Sequence, residues 1–333
     1  MCVINITKAK GSAIAFSKTL IQFQNVEIAA LKEVRKVKSI QIFRKPAQQA
    51  MQGDRAGICV TQFDASLLER GLVSSPGLLP NAFAIIIDLK KIRFYKSDIV
   101  SGSKFHVSIG HATILSTITL FSEEKLKPDE KTDDPFSLDK EYAYLPTLST
   151  SDESSLDSIH VYALLEFDHS AVISCDSKIL GSKLDTDVHT SSCRLAFEGQ
   201  ILLPITSEKY KTEILPKLKV FKIKEKAGNV ERANNDYELI GKNMFKKETN
   251  IHLFEGFKVV MSTPLSTSGA IDGPFGQSGK FKIRLSEPLS EEAKSLLGGG
   301  KKKKAEDKVS GSEVVEVRMT FKKYLFTKKM AQR

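Results

Sequence analysis

The sequence predicts an all-β fold of three consecutive small β-barrel domains. Short runs rich in Val, Ile and Phe alternate with turn residues at the spacing of roughly 8–12 residues that is typical of barrels and sandwiches. A single short helix is predicted at Ser290–Leu297, where a serine precedes acidic residues in the first turn. The 333 residues are enough for two or three domains.

The first block shows the pattern most clearly. In the run Lys36–Phe43, Ile40 and Ile42 alternate with polar residues, which is the period of a half-buried strand. Gly53 and Asp54 then predict a turn, since glycine tolerates a positive φ and aspartate can accept a hydrogen bond from a nearby backbone N–H. Alternation resumes in the second part of Met51–Val60.

The other predicted strands follow the same rule. They are Phe83–Ile87, Phe105–Ile109, Thr113–Phe121, His160–Phe167, Leu218–Ile223, Phe257–Met261, Lys280–Leu285 and Val314–Phe321. Composition and turn signals divide the chain into residues 1–75, 76–212 and 213–333, with the first boundary at Pro76-Gly77. We expect a disordered acidic insert at 122–158, dispensable for stability, and a flexible basic loop at 298–312.

The charge distribution indicates a polyanionic partner. The net charge is +10, but Ser122–Ser158 holds eleven acidic residues against four lysines, which leaves +17 for the remainder. A basic body favours RNA binding, and a generic basic surface stays open as the alternative. The sequence has no apolar run of transmembrane length and no secretory signal, and its four cysteines are widely separated, which fits a reducing cytosolic setting.

Chemistry-bearing motifs are absent from the sequence. No Walker A loop occurs, and Gly273–Lys280 has the wrong spacing and precedes an alternating strand, so we interpret it as a barrel turn. His106 and His111 flank a strand and a turn, and His189 precedes Cys193 in strand-like surroundings. These spacings predict no metal site, no catalytic set and no nucleotide site in this chain.

The strand, Gly-Asp-Arg turn, strand and Arg70-Gly71 of the first block resemble the second domain of translational GTPases. Ala50–Asp64 and Lys178–Phe197 are most similar to the selenocysteine-specific elongation factors of eukaryotes and archaea, and Val230–Gly241 is similar to the fourth domain peculiar to them. The resemblance covers Val26 to the end, apart from the acidic insert and the lysine loop. It implies three barrels: domain 2, domain 3 and the fourth domain.

The resemblance also implies a function. Factors of this family use GTP and Mg²⁺ and deliver selenocysteinyl-tRNA to the ribosome at recoded UGA codons, directed by an insertion element in the message or its binding protein. Since this sequence lacks a phosphate loop, we expect only the tRNA- and RNA-binding barrels here, with no cofactor, no catalysis by this chain alone and no membrane partner. Two alternatives are the C-terminal part of a general elongation or initiation GTPase and a hydrolase-like β-barrel enzyme.

The implied site residues lie in all three blocks. The arginine of the Gly-Asp-Arg turn, Arg55, would line the aminoacyl pocket, where positive charge recognises an ionised selenol; the alternative is that it braces the turn through Asp54. The implied tRNA contacts are Lys183, His189, Arg194, Lys217, Lys219, Lys222 and Lys224. For the first three, pairing with Asp185 and Asp187 is the alternative.

Two further expectations concern the ends of the chain. Met1–Gln22 lacks the histidine-bearing and Gly/Thr-rich strands with which the family opens this barrel, so we expect no pocket imidazole and a first barrel without two paired strands. The four lysines 301–304 belong to a solvated loop, with a nuclear-localisation patch as the alternative. We therefore expect a cytoplasmic protein, with nuclear location left open by that alternative.

Overall fold

The computed structural model describes residues 3–7, 19–51, 53–64, 67, 70–123, 136–149, 160–174, 177–185, 193–262, 267–276, 279–289, 315–327 and 329–332. The chain divides into two compact units, Met1–Val220 and Phe221–Arg333. Antiparallel strands build both units, which confirms the all-β prediction. Buried apolar residues of the described chain form three separate clusters, while the boundaries after residues 75 and 212 stay predictions.

Residues 3–74 form a six-stranded sheet, which we call the first sheet, and a separate two-stranded sheet. Their strands are β1 (Val3–Thr7), β2 (Leu20–Ile21), β3 (Asn25–Ile28), β4 (Glu33–Ile42), β5 (Lys45–Ala47), β6 (Gln49–Ala50), β7 (Ala56–Val60) and β8 (Arg70–Ser74). The pairing order is β1-β8-β3-β4-β5, with β7 also on β4, while β2 pairs with β6. The expected lack of two paired strands is wrong, because β1 covers the edge of β8 and β2 covers that of β6.

The next strands form a closed barrel. They are β9 (Asn81–Lys91), β10 (Ile99–Val100), β11 (Lys104–Ile109), β12 (Ala112–Glu123), β13 (Tyr142–Leu145), β14 (Thr147–Leu148), β15 (Val161–Val172), β16 (Lys178–Ser182) and β17 (Leu195–Ile205). Six of them close a ring in the order β11-β16-β17-β9-β15-β12, since β12 pairs back with β11. Ile85, Val107 and Ile118 are completely buried inside it.

Part of the predicted acidic insert is ordered and packs against this barrel. We call residues 136–149 the strap; it contains β13 and β14, and Tyr142 and Leu148 in it are 0% and 2% exposed. The Tyr142 ring stacks on Phe136 at 5.4 Å and meets Phe121 of β12 edge-on at 5.3 Å. The prediction of a wholly disordered insert is therefore wrong for the strap, while residues 124–135 and 150–159 lie outside the described residues.

The second unit contains another closed ring. Its strands are β18 (Val220–Asn235), β19 (Glu238–Lys242), β20 (Lys258–Met261), β21 (Ser268–Phe275), β22 (Lys280–Leu285), β23 (Glu316–Tyr324) and β24 (Met330–Ala331). The order β18-β19-β22-β21-β20-β23 closes where β23 pairs with β18. Its core includes Val259, Phe281 and Val317, each 0% exposed. The turn predicted within Gly273–Lys280 lies between Phe275, the last residue of β21, and Lys280, the first residue of β22, which pair with each other.

Both closed barrels contain the same cross-strand pair, a glycine opposite a phenylalanine. Gly181 of β16 faces Phe197 of β17, and Gly241 of β19 faces Phe281 of β22. A Cβ added to Gly181 or Gly241 would lie 2.1 Å or 2.4 Å from the phenyl ring of the facing phenylalanine. Each phenyl ring therefore occupies the space in which a side chain of its glycine would lie. The phenyl rings of Phe197 and Phe281 are buried, so the packing of each barrel requires a residue without a side chain at the glycine position.

Helical structure in the described residues is short. Tyr210–Glu213 forms α1, and two 3-10 turns lie at Leu215–Lys217 and Ile251–Phe254. The sequence did not predict these elements. The predicted helix at Ser290–Leu297 and the basic loop at 298–312 lie outside the described residues.

Candidate nucleic-acid interface

The β4–β5 hairpin ends in an exposed basic tip, which we define as Phe43, Arg44, Lys45 and Arg55. Ile42 is the Cα partner of Lys45 in β5 and of Ala56 in β7, so Arg55, which precedes Ala56, lies at the same end of the sheet as the turn. Phe43 is 86% exposed and the three cations are exposed as well. Within the described part of the chain none of the three cations forms an ion pair.

The backbone of the tip is strained. Phe43 and Arg44 are the two central residues of the hairpin turn, and their φ angles are +50° and +65°. A two-residue turn with both φ angles positive is normally filled by Asn-Gly or Gly-Gly, because side chains with a Cβ are disfavoured there. Left-handed φ costs an ordinary residue about 1–2 kcal/mol. Strain of this kind concentrates at functional sites.

Arg55 follows a turn that is stabilised by Gly53 and Asp54 and not by Arg55 itself. Gly53 has φ +93°, and the Asp54 carboxylate accepts the backbone N–H of Met51 at 2.7 Å. This confirms the predicted Gly-Asp turn. The alternative in which Arg55 braces the turn through Asp54 is not observed among the described contacts, since Arg55 forms no ion pair there. Its guanidinium group is exposed at the surface of the tip.

The tip combines the two groups that single-stranded nucleic acid needs. An exposed aromatic ring offers a stacking platform for a base, and guanidinium and ammonium groups bind backbone phosphates. Away from the tip, in the same part of the chain, Phe23 and Met51 are also exposed, at 63% and 52%. Lys36 lies over the Phe23 ring at 5.6 Å.

Lys183 and Arg194, the predicted tRNA contacts of the barrel formed by β9–β17, form hydrogen bonds and an ion pair with other groups of the protein. Lys183 forms an ion pair with Asp185 at 3.5 Å and donates to the carbonyl of Lys104 at 2.9 Å. Arg194 is half-buried and donates to the carbonyls of Lys183 and Leu184. The pairing of Lys183 with Asp185, which was the alternative to a tRNA contact, is observed, while the tRNA contact itself stays a prediction. His189 lies outside the described residues.

The implied contacts Lys217, Lys219, Lys222 and Lys224 do not all lie on the strand predicted at Leu218–Ile223. Lys217 ends a 3-10 turn and Lys219 precedes β18, which begins at Val220, because Pro216 lacks a backbone N–H and favours a turn here. Lys219 donates to the carbonyl of Asp139 at 2.9 Å. In the second unit, Lys222 and Lys224 lie on one face of β18 and pair across the ladder with Lys323 and Phe321. Their roles in RNA binding stay predictions.

Sequence reasoning missed Phe43 and Arg44 as site residues. The alternation of Ile40 and Ile42 extends to the end of the strand, and Phe-Arg is not a turn-forming pair. The only local sign of a turn is Pro46, which lacks a backbone N–H and lies on the short strand β5.

Metal sites, disulfides and membrane-spanning helices are not found in the described chain. No group of three or more His, Cys, Asp or Glu side chains there could hold a metal ion. Cys59 and Cys193, the described cysteines, are free. None of the described helices has the length and apolar character that a membrane crossing requires.

Two family models match the chain. Residues 86–199 match the third domain of the eukaryotic selenocysteine-specific elongation factor, and residues 216–330 match the C-terminal RIFT domain of eEFSec, its fourth domain. Together they match more than half of the chain.

Relatives and solved structures agree with these matches. The chain is 40% identical to the selenocysteine-specific elongation factor of Mus musculus over 95% of its length and 60% of that protein. It is 24% identical to the factor of Methanocaldococcus jannaschii over 82% of its length and 52% of that protein. The fold resembles elongation factor SelB from Methanococcus maripaludis bound to the GTP analogue GPPNHP, with a TM-score of 0.57 at 15% identity, covering 100% of this chain and 62% of that one. The chain therefore spans between about half and two thirds of the length of these proteins.

Proposed function

Because this chain belongs to the family of selenocysteine-specific elongation factors, we propose that it binds selenocysteine tRNA and does so through the basic tip of its first sheet. In this proposal the barrels are the RNA-binding part of a factor that delivers selenocysteinyl-tRNA to the ribosome at recoded UGA codons. The activity belongs to the cytoplasm, where ribosomes translate. The alternative of a general elongation or initiation GTPase is not favoured, since residues 216–330 match the family's fourth domain.

The strained and exposed turn at Phe43–Arg44 is the observation that carries the proposal. A solvent-exposed phenylalanine on a left-handed backbone adds no stability to the fold, so we propose that a ligand uses the ring. Single-stranded nucleic acid is the ligand that uses a ring and adjacent cations together. The unpaired terminus of a tRNA supplies both bases and phosphates at one place. Arg55 then contacts the aminoacyl group or the terminal phosphates from the same end of the sheet.

The remaining partners follow from the family. The insertion element in the message, or the protein that binds it, is the proposed partner of the second unit, whose Lys222 and Lys224 lie on one face of β18. GTP and Mg²⁺ act in the family's GTPase domain, for which this sequence supplies no phosphate loop. Lys183, Arg194, Lys217 and Lys219 are proposed to contact tRNA phosphates, with His189 as a further contact.

Binding of selenocysteine tRNA tests the role of the tip. Affinity should fall log-linearly with salt, because phosphate contacts release counterions. Phe43→Ala should weaken binding by about 1–3 kcal/mol, the worth of one stacked base, and leave the salt dependence unchanged. Arg44→Ala should weaken binding and also lower the slope of log K against log salt by about 1. Filter binding across a salt series measures both quantities.

The chain offers a matched control for these variants. Arg93 and Phe94 form another exposed pair in the turn after β9, and Phe94 is 72% exposed. Arg93→Ala and Phe94→Ala should leave tRNA affinity within twofold of the unsubstituted chain, about 0.4 kcal/mol. Equal effects at both pairs would show a nonspecific basic surface and would contradict the proposed site.

The aminoacyl group is expected to add little affinity in this chain. None of the six histidines precedes residue 106, so the first sheet contains no imidazole to assist Arg55 in recognising a selenol. Charged and uncharged selenocysteine tRNA should therefore bind alike in the same filter assay. A large preference for the charged form would show a complete pocket and would refute this interpretation of the N-terminal segment.

Purified chain is expected to bind neither GTP nor GDP. The physical reason is that no sequence segment offers the glycine-rich loop and helix N-terminus that hold a triphosphate. Isothermal titration calorimetry in the presence of Mg²⁺ measures this directly, and a micromolar dissociation constant would contradict the prediction.

A further inference from the structure

A cavity of about 370 Å³ lies against the wall of the barrel formed by β9–β17. Its floor is a row of cross-strand partners, in which Lys104 of β11 pairs with Thr117 of β12 and Thr117 pairs with Glu166 of β15. The residues next to this row along β11 and β15, Phe105 and Leu165, belong to the barrel core. Side chains alternate between the two faces of a strand, so the row itself faces away from the core.

An irregularity in β15 shapes one side of the cavity. β15 passes from Glu166 to Ala171 while its partner β9 passes only from Ala84 to Ala82, so the two strands separate locally. Asp168 lies in the separated segment and lines the cavity. Bulges of this kind re-aim side chains and are frequent beside binding sites.

The short helix α1 supplies another side. Tyr210 is buried, and its hydroxyl donates to the Glu166 carboxylate at 2.9 Å. Lys211 forms an ion pair with the same carboxylate at 3.6 Å. Burial of the ring and the hydrogen bond to Glu166 raise the pKa of Tyr210, so the hydroxyl stays protonated and remains a donor. Glu166 is therefore occupied by contacts within the protein, which hold α1 at the cavity.

Two opposite charges of the lining remain without a partner. Neither the Lys104 ammonium nor the Asp168 carboxylate forms an ion pair with any described residue. Strand β12 lies between β11 and β15, which carry these residues, so the two strands are about 10 Å apart, twice the usual spacing. Leu115 and Phe167 add apolar surface to the lining. The cavity thus offers a free cation from one strand, a free anion from another and an apolar patch.

We propose that this cavity binds a free α-amino acid with an uncharged side chain. The ligand's carboxylate contacts the Lys104 ammonium, its ammonium group contacts the Asp168 carboxylate, and the Thr117 hydroxyl lies between them as a further hydrogen-bonding group. The ligand's side chain lies against Leu115 and Phe167. A zwitterion satisfies both free charges at once, whereas an anion or a cation would leave one of them unpaired. The volume of about 370 Å³ is at the lower end of the range for small-molecule sites, which suits a ligand of this size.

Blocked analogues of one amino acid test the two charge pairs. Binding of L-leucine, N-acetyl-L-leucine and L-leucinamide to the purified full chain is measured by ligand-observed NMR titration. We expect saturable binding of L-leucine and at least about tenfold weaker binding of either analogue, because each lacks one of the two charges. Equal binding of the three compounds, stronger binding of an analogue or a lack of saturable L-leucine binding would each overturn the proposal.

Substitutions in the cavity identify which charge meets which group. Lys104→Gln and Asp168→Asn should each weaken L-leucine binding by about tenfold. Lys104→Gln should also remove the preference for L-leucine over L-leucinamide, and Asp168→Asn should remove the preference over N-acetyl-L-leucine. Lys178→Gln and Asp98→Asn, at exposed positions of the same unit that do not line the cavity, are matched controls and should leave affinity within about twofold. Unchanged binding in both cavity variants, or equal losses in the controls, would place the ligand elsewhere and refute the site.

Discussion

Replacing Tyr142 by alanine is expected to lower the free energy of unfolding of the first unit by about 3–5 kcal/mol, the usual cost of removing a large buried ring. Tyr142 is 0% exposed, and its ring contacts Phe121 and Phe136. Its hydroxyl donates to the carbonyl of Ser137 at 2.9 Å and accepts the N–H of the same residue at 3.1 Å. Urea unfolding followed by circular dichroism measures the change.

Two substitutions calibrate this result. Tyr142→Phe keeps the ring and loses the hydroxyl contacts, so it should cost only about 1 kcal/mol. Phe94→Ala removes a ring of the same unit that is 72% exposed and should change stability by less than about 0.5 kcal/mol. If Tyr142→Ala were as mild as Phe94→Ala, the strap would not be packed on the barrel, and the expectation of a dispensable insert would stand after all.

Replacing Gly241 by alanine is expected to destabilise the second unit by about 2–3 kcal/mol through overpacking. At an ordinary strand position the same change would stabilise by about 0.5–1 kcal/mol, so the sign itself is diagnostic. The new Cβ would lie 2.4 Å from the Phe281 ring. That ring cannot retreat freely, because it is 0% exposed and packs edge-on against Phe245 at 5.2 Å. Thermal unfolding measures the loss.

A compensating substitution identifies the cause. Phe281→Leu shortens the facing side chain, so the double variant Gly241→Ala/Phe281→Leu should be more stable than the sum of the single changes predicts, by at least about 0.5 kcal/mol. The pair Gly181 and Phe197 offers an independent repeat in the first unit. If the losses of stability from the two single substitutions were additive in both pairs, the facing phenylalanine ring would not be the reason that glycine is required.

Much of the fold could be predicted because short-range patterns carry it. The alternation in Lys36–Phe43 and in Lys280–Leu285 reports one buried and one exposed face, and both segments are strands of the structure. The Gly-Asp turn before Arg55 was predicted for the same reason, since Gly53 and Asp54 act within a few residues of themselves. The resemblance to the family also rested on such local motifs and is confirmed by the matches to its third and fourth domains.

The strap could not be predicted in this way. The insert that contains it, residues 122–158, holds eleven acidic residues against four lysines, which favours a disordered loop on composition alone. Three aromatic side chains decide otherwise, because Phe121 of β12 lies against Phe136 and Tyr142 of the strap. Composition averages over a window, whereas burial depends on which rings the barrel brings together.

The sequence by itself determined the all-β class, the positions of most strands, the family and the turn that precedes Arg55. Only the tertiary structure decided that Phe43 and Arg44 form a strained, exposed turn beside Arg55. The physical reason is the range of the interactions. Alternation and turn chemistry act between neighbours in the chain, while strain, desolvation and charge balance depend on groups that the closed sheets bring together from distant positions.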